Sequence, residues 1–232
     1  MTAAEPPEHE LGQREFFRWA HALVLAGDER FVSVGPVDAT LRQGLDDLAA
    51  SVRRSVWHLT YLPTWGQVRS ARRLAAVASR GGIDGRYVTD VRSLERLPML
   101  TSHHHTARVS HVVAPLLVVD ARVVFIGAPR GHELAAHAWR STAPAVVGAA
   151  VRCVETVWAS STPAVPPGQD PPFTRRMVDI GFLLTDGSTD VDIARQLGVS
   201  ARTVSADVAE IVRRLGARNR AHAIALIGGG TY

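Results

Sequence analysis

"VSARTVSADVAEIV", Val199–Val212, is the stretch whose reading decides the fold of the C-terminal part of the chain. Ser200 is of the residue type that caps a helix N-terminus by accepting a backbone N–H. The preceding Gly198 is of the type that ends a helix in the left-handed conformation. A connection as short as Gly198-Val199-Ser200 between two amphipathic stretches is the helix-turn-helix arrangement. On a wheel advancing about 100° per residue, Val204, Val208, Ile211, Val212 and Leu215 share one side. The opposite side holds Arg202, Ala206, Ala209 and Arg213, flanked by Ser205. That face is slim in its middle and cationic at both ends. Small residues let a helix enter the major groove, and terminal arginines reach phosphates or base edges. Asp207 falls beside Val204 and Ile211, so it belongs to the flank of this helix and not to the centre of its exposed face.

The surroundings extend the pattern. Thr174 caps a predicted helix over 175–184, and Gly187 closes the turn after it. Thr189 with Asp192 three residues on has capping-box spacing for a second helix that carries Ile193, Ala194 and Leu197 inward. The third helix runs from Ser200 to about Leu215, Gly216 stops it, and a fourth short helix spans 220–227.

Residues 173–227 resemble the LuxR-type (GerE-like) helix-turn-helix of bacterial transcription factors. The matching residues are Phe173-Thr174, Arg176, Leu183-Leu184, Gly187, Ile193-Ala194, Leu197 to Ser200, Thr203-Val204, Leu215-Gly216, Arg218, Arg220 and Ala223. The chain departs from the family pattern at Met177 (usually Glu), Ser205 (usually Lys or Arg) and Asp207 (usually His). The resemblance implies that Ser205, Ala206 and Ala209 face bases, and that Thr203, Arg213, Arg218 and Arg220 lie near phosphates. With Ser200 and Arg202 these form the expected DNA-binding set. It also implies that the last helix dimerises.

Upstream, "SSTPAVPPGQDPPF", Ser160–Phe173, contains five prolines. Proline removes a backbone donor and disfavours helix at the residue before it, so this reads as a partly extended linker. The expected organisation is therefore a tail and helix over 1–35, an α/β domain over 36–159, a linker over 160–172 and the helical module over 173–232. Within the first two parts, an amphipathic helix is expected over 11–25 and another over 38–54, where Leu41, Leu45, Leu48 and Val52 make one stripe. "SVWHLTYL", Ser55–Leu62, reads as a strand, 67–79 as a helix stopped by Gly81-Gly82, and "GRYVTDV" as a second strand. Residues 107–129 read as two or three strands, and 132–158 as a helix broken at Pro144. Such alternation implies an α/β sandwich around a mostly buried sheet.

"VVAPLLVVDARVVFIGAP", Val112–Pro129, resembles the second part of a phospholipase D-like half-domain: His-x-Lys, four residues, Asp, six residues, Gly-Ser. Asp120 and Gly127 stand at the acid and glycine positions. Val113, Pro115 and Ala128 replace the nucleophilic histidine, the lysine and the serine. Attack on phosphorus needs an imidazole and cations to steady the developing charge, and valine and proline supply neither. His111 shares a face with Val113 but has no partner lysine, and the segment also reads simply as a hairpin. The fold class expected is thus a degenerate phospholipase D-like α/β sandwich followed by a four-helix LuxR-type module. That order resembles a group of actinobacterial LuxR-type regulators, here without room for the TrmB-type winged helix that many of them carry.

The whole-chain numbers bound the function. The 232 residues are 46% hydrophobic and 21% charged, an ordinary globular balance. The net charge is only +4, and all 26 basic residues are arginine, a bias that a GC-rich genome produces without selection for nucleic acid. With no lysine, a P-loop is excluded, and a phospho-acceptor receiver domain would lack the lysine it needs. "VWHLTYLPTW" lacks the Trp, Tyr and Asp spacing of acyl-homoserine-lactone sensors. The absence of a long apolar run leads to the expectation of a soluble, cytoplasmic, nucleoid-associated protein with no membrane contact. Cys153, the single cysteine, excludes an intrachain disulfide and reads as a buried small residue.

Other candidate residues have plainer readings. His103, His104, His105 and His111 lie close in sequence, but adjacent residues diverge, so a polar surface loop is favoured over a metal centre. Arg69, Arg72, Arg73 and Arg80 read as a solvated helix face. Trp57, Tyr61 and Trp65 are candidates for a pocket lining, and Trp57 and Tyr61 share a strand face, as either a core pair or a ligand wall. With His111 and Asp120 they form the speculative ligand-binding set. The expected function is a non-enzymatic, sequence-specific DNA-binding transcriptional regulator. Its partners are double-stranded DNA with an inverted-repeat operator, a second copy of the chain and, as a further candidate, RNA polymerase. No cofactor or metal is expected, and any effector ligand is unidentified. A phosphodiesterase and a protein-interaction module that has lost DNA binding are the alternatives.

Overall fold

A computed structural model describes residues 12–36, 45–128 and 137–230. Its centre is an eight-stranded mixed sheet: β1 (Val32–Pro36), β2 (Ser55–Leu59), β3 (Asp84–Thr89), β4 (Arg108–Val109), β5 (Leu116–Val119), β6 (Val123–Gly127), β7 (His137–Ser141) and β8 (Thr162–Pro163). The spatial order is β1-β7-β6-β5-β2-β3-β4-β8. β2, β3 and β4 run parallel, and every other pairing is antiparallel. β2 and β5 are the centre of the sheet: β5 is all leucine and valine and wholly buried, and β2 sets Trp57 and Leu59 on one face and Val56 and His58 on the other.

One face carries α1 (Gln13–Leu25); the other carries α2 (Leu45–Ser51), α3 (Trp65–Ser70) and α4 (Arg72–Ala78). Two short helices, α5 (Val91–Arg96) and α6 (Leu100–His103), follow β3, and α7 (Pro144–Ser160) returns to the α1 face. Phe16 and Phe17 of α1 are fully buried against Val146, Ala150 and Val154 of α7 and the β5 and β6 side chains. Burial of each ring is worth about 1.5–3 kcal/mol. Among the described residues no helix is long and apolar enough to cross a membrane.

Several expectations are corrected. Of the helix expected over 132–158, residues 132–136 lie outside the described residues, and from 137 on the helix begins only at Pro144, which sits in its first turn where a missing N–H costs nothing. Before it, His137–Ser141 is strand β7, paired to both β1 and β6. The helix expected over 67–79 is two helices meeting at Ala71, and it starts earlier, at Trp65, behind a full Thr64/Gln67 capping box. Of the helix expected over 38–54, residues 38–44 lie outside the described residues, and Leu45–Ser51 is helical. Leu11 is likewise outside them. α1, expected to lie outside the α/β domain, is part of it, since its Phe16/Phe17 face completes the sheet's core. Of the linker expected over 160–172, Ser160 ends α7 and Thr162–Pro163 form edge strand β8, and Arg108 Nε donates to Ser161 Oγ at 2.7 Å.

β5 and β6 form the hairpin that the sequence allowed. Asp120 and Ala121 both have positive φ, 54° and 50°, and Arg122 N donates to Val119 O at 3.0 Å, the geometry of a type I′ turn. The Asp120 carboxylate accepts the backbone N–H groups of Arg53 (2.9 Å), Arg54 (2.7 Å) and Ser55 (2.9 Å). Burial pushes its carboxyl upward, but the donors from Ser55, Arg54 and Arg53 outweigh this and hold it below the ordinary range. Asp120 thus ties the hairpin to the start of β2.

Candidate nucleic-acid interface

The C-terminal helices are α8 (Arg175–Thr185), α9 (Asp190–Leu197), α10 (Ala201–Arg214) and α11 (Arg220–Ile227). Each starts on a side-chain cap that satisfies an otherwise orphaned N–H: Thr174 accepts from Met177, Thr189 from Asp192, Ser200 from Thr203 and Asn219 from His222. Gly198 takes the left-handed conformation at φ 66°, which frees the chain to turn directly into Ser200. Between α9 and α10, Val199 N donates to Ala194 O at 3.0 Å.

α10 buries Val204, Val208 and Ile211, with Leu215 just after it, while Arg202, Ser205, Ala206, Ala209 and Arg213 are exposed. This is the division that the wheel gives. Asp207, however, is more than a flank residue. Its side chain is only 11% exposed and receives a two-point contact from Arg176 of α8, Nε to Oδ2 at 2.6 Å and Nη2 to Oδ1 at 3.2 Å. It is a strut between the first and third helices, turned away from the exposed face.

Acids within the module already hold several of the residues expected at DNA. Ser205 Oγ donates to Asp190 Oδ2 at 2.7 Å, and Arg220 contacts Asp190 Oδ1 and the carbonyl of Ser188. Ser205 and Arg220 together keep the Asp190 carboxyl below its usual range. Arg213 Nε donates to Glu210 Oε2 at 2.7 Å, and Arg214 Nε to Glu210 Oε1 at 2.7 Å. Arg213 first and Arg214 second hold the Glu210 carboxyl down at about 2. Arg218 gives its backbone N–H to His222 Nδ1 at 3.1 Å. Arg202 forms no ion pair with any described residue.

The ligand-binding set does not converge. Trp57 donates to Asp84 Oδ2 at 2.9 Å and lies under the Arg86 guanidinium at 4.4 Å, so its ring is enclosed. Tyr61 donates to Ala128 O at 3.4 Å. His111 is exposed, and its carbonyl accepts from the Gln13 side chain at 2.6 Å. Asp120 is at the opposite end of β5 from His111, engaged by three amides. The histidine run is corrected in part: His105 and His111 are exposed, whereas His103 and His104 pack against other rings. His104 stacks on Tyr87 at 3.7 Å between ring centres, and His103 meets Phe182 edge-on at 5.3 Å. Burial lowers the His103 imidazole to about 4 and the His104 imidazole well below its usual value. These rings are packing groups and not a polar surface loop. Among the described residues no cluster of three or more His, Cys, Asp or Glu side chains is placed to hold a metal. Cys153 is fully buried, and burial pushes its thiol up to about 12.

Sequence reasoning missed the contact between module and sheet domain. α8 lies against α3 and α6. Trp65 stacks on Phe182 at 4.5 Å, Met99 packs on Gly181, Phe173 N donates to Ser102 Oγ at 3.0 Å, and Arg69 pairs with Asp186. One apolar cluster runs from Trp65, Leu97, Met99 and Leu100 through α8 to α10 and α11. A signal existed in "FLL", Phe182–Leu184. All three side chains are buried, which is more than one face of a helix in a small bundle needs.

Four capped helices, with a left-handed glycine joining the second to a third that exposes a slim face, define a helix-turn-helix module. The family of bacterial regulatory proteins of the luxR type (GerE) matches residues 171–227, and these residues are a LuxR-family helix-turn-helix domain. No curated protein matches the chain. Among solved structures, the chain is similar to TrmBL2, described as an archaeal chromatin protein with a novel mode of DNA binding. The identity is 13%, over 65% of this chain and 60% of that one, with a TM-score of 0.46. It is also similar to NucT from Helicobacter pylori at 13% identity, over 57% of this chain and 96% of that one, with a TM-score of 0.44.

Proposed function

We propose that the protein is a sequence-specific DNA-binding transcriptional regulator acting as a homodimer in the cytoplasm. Its α/β domain is non-catalytic and serves effector sensing, dimerisation or both. The observation that carries this reading is α10, whose Arg202–Ser205–Ala206–Ala209–Arg213 face is exposed beside a capped helix-turn-helix connection. In this reading Ser205, Ala206 and Ala209 approach base edges. Ser200, Arg202, Thr203, Arg213, Arg218 and Arg220 lie along the phosphates. Phosphate contacts fix register, and a second copy on an inverted repeat doubles the reading face. The α/β domain is read as a phospholipase D-like half-domain of the actinobacterial regulator group. It has lost its chemistry with Val113, Pro115 and Ala128 at the reactive positions, and Asp120 is retained for the hairpin it anchors.

The test is a salt-titrated mobility-shift assay on fragments of the source genome. Arg202→Ala with Arg213→Ala is expected to weaken retention and to reduce the salt slope by about two, since each neutralised phosphate contributes about 0.9. Unchanged affinity and slope in the double variant would remove α10 from the DNA interface.

A further inference from the structure

β2 turns Val56 and His58 toward α2 and α4. Across the sheet His58 is opposite Leu117, and Leu117 is opposite Phe125, so the three side chains form one row on that face. Above the row lies a cavity of about 80 Å³, lined by these three with Leu45, Leu74 and Ala138. A single buried water needs roughly 10–15 Å³ in this measure, so the space takes a molecule of about five to eight heavy atoms.

His58 is the one polar side chain among the described lining residues. Its ring meets Tyr87 edge-on at 5.4 Å. Burial lowers the imidazole to about 4, so at neutral pH it offers one donor and one acceptor and no charge. The lining holds neither a carboxylate for a cation nor a cation for an anion. A concave, mostly apolar lining with one polar side chain is the common form of a small-molecule site.

We propose that this cavity binds a small, uncharged, mostly apolar compound bearing a single hydroxyl or carbonyl group, which exchanges one hydrogen bond with His58. As an effector site it rests on the regulator reading above; as a binding site it stands without it. From His58 the rings continue through Tyr87, His104 (3.7 Å) and His103 (4.6 Å) to Phe182 (5.3 Å), in the first helix of the DNA-binding module. Occupancy at His58 therefore presses on one end of a ring series that ends in α8.

Phenol, toluene and benzoate are the probes, titrated into the full chain at pH 7 by calorimetry and ligand-observed NMR. Phenol is expected to bind saturably and benzoate not at all. His58→Leu should weaken phenol at least tenfold while leaving toluene within threefold. Ala138→Leu, which fills the cavity from β7, should weaken both tenfold or more, and it decides the matter if His58→Leu fails to fold. Lack of saturable phenol binding, or equal phenol binding by the original chain and Ala138→Leu, overturns the site. Mobility shifts on the same preparations separate the two readings. Lost phenol binding with intact DNA binding refutes only the cavity, and the reverse refutes only the regulator.

Discussion

A methyl group added at Gly181 would test how the helix-turn-helix module is joined to the sheet domain. A Cβ there would lie 2.7 Å from Met99 Sδ, 3.5 Å from Met99 Cε and 3.7 Å from Ile227 Cγ2. Two effects oppose each other. Alanine in a helix interior is favoured over glycine by about 1 kcal/mol. Met99, however, is fully buried, and its sulfur must retreat into packed surroundings, an overpacking that costs about 1–3 kcal/mol. Gly181→Ala alone should therefore destabilise by about 1 kcal/mol, the margin by which crowding of the sulfur outweighs the helical gain.

The sharper result comes in a Met99→Ala background. That substitution opens a cavity at a cost of about 2–5 kcal/mol. With the sulfur gone, Gly181→Ala keeps its helical advantage and partly refills the space, so it should now stabilise by about 1 kcal/mol. The cycle predicts a coupling of about 2 kcal/mol and a reversal of sign. Urea midpoints followed by far-UV circular dichroism, at constant slope, give all four corners. Additivity within about 0.5 kcal/mol would mean that α8 does not pack on the Leu97–Leu100 segment as described.

Acidification should weaken the fold well above the range where its paired carboxylates titrate. Burial holds His58 and His103 at about 4 and His104 well below the ordinary 6.5. Between 6.5 and 4 the unfolded chain therefore binds more protons, and stability present above 6.5 is lost as pH falls. For His58 and His103 this is about 2–3 kcal/mol each by pH ~4.5, and urea midpoints that stay flat from pH ~7 to ~4.5 would contradict their burial as neutral rings. Asp28 and Glu210, held at about 2, titrate only below this window. Asp207→Ala should cost about 1–2 kcal/mol: two charge-assisted hydrogen bonds are lost, and half-exposed Arg176 recovers water. Arg176→Ala should then cost almost nothing in the Asp207→Ala background, and equal losses in both backgrounds would show that the two do not act together.

The C-terminal module is legible in the sequence because its signals are local. Thr174, Thr189, Ser200 and Gly198 act within one helical turn, and the α10 wheel needs only its own sequence. The α/β domain is legible where apolar runs are long, as in β5 and β6. It is opaque where tertiary pairing overrides local preference. "HAWRS" has no strong strand character, yet as β7 it fills the place between β1 and β6. Thr162–Pro163 reads as linker but completes an edge beside β4, where proline's missing N–H can be tolerated. The polarity of His103 and His104 points to solvent, whereas their flat rings fit between Tyr87 and Phe182. The run Phe182–Leu184 marks α8 as covered on more than one face, but nothing local names what covers it, so the α3 and α6 side of the shared core is a tertiary fact.

The same distinction bears on how tightly one module can hold DNA. α10 carries Arg202, Arg213 and Arg214 against Asp207 and Glu210. Asp207 is neutralised inside the module by Arg176, so it costs the exposed face little. Glu210 is different, because it holds Arg213 and Arg214 at once, and Asp190 likewise holds Arg220 and Ser205. Exposed pairs of this kind are worth about 0.2–1 kcal/mol, so a phosphate can displace the carboxylate. Each displacement nevertheless leaves an acid near the DNA backbone and subtracts from the gain. Arg202 and Arg218, which pair with no acid among the described residues, are cations that enter at full value. For the proposed regulator, then, affinity must come less from any single face than from two copies engaged together. Loss of dimerisation should abolish retention on DNA more completely than loss of Arg213.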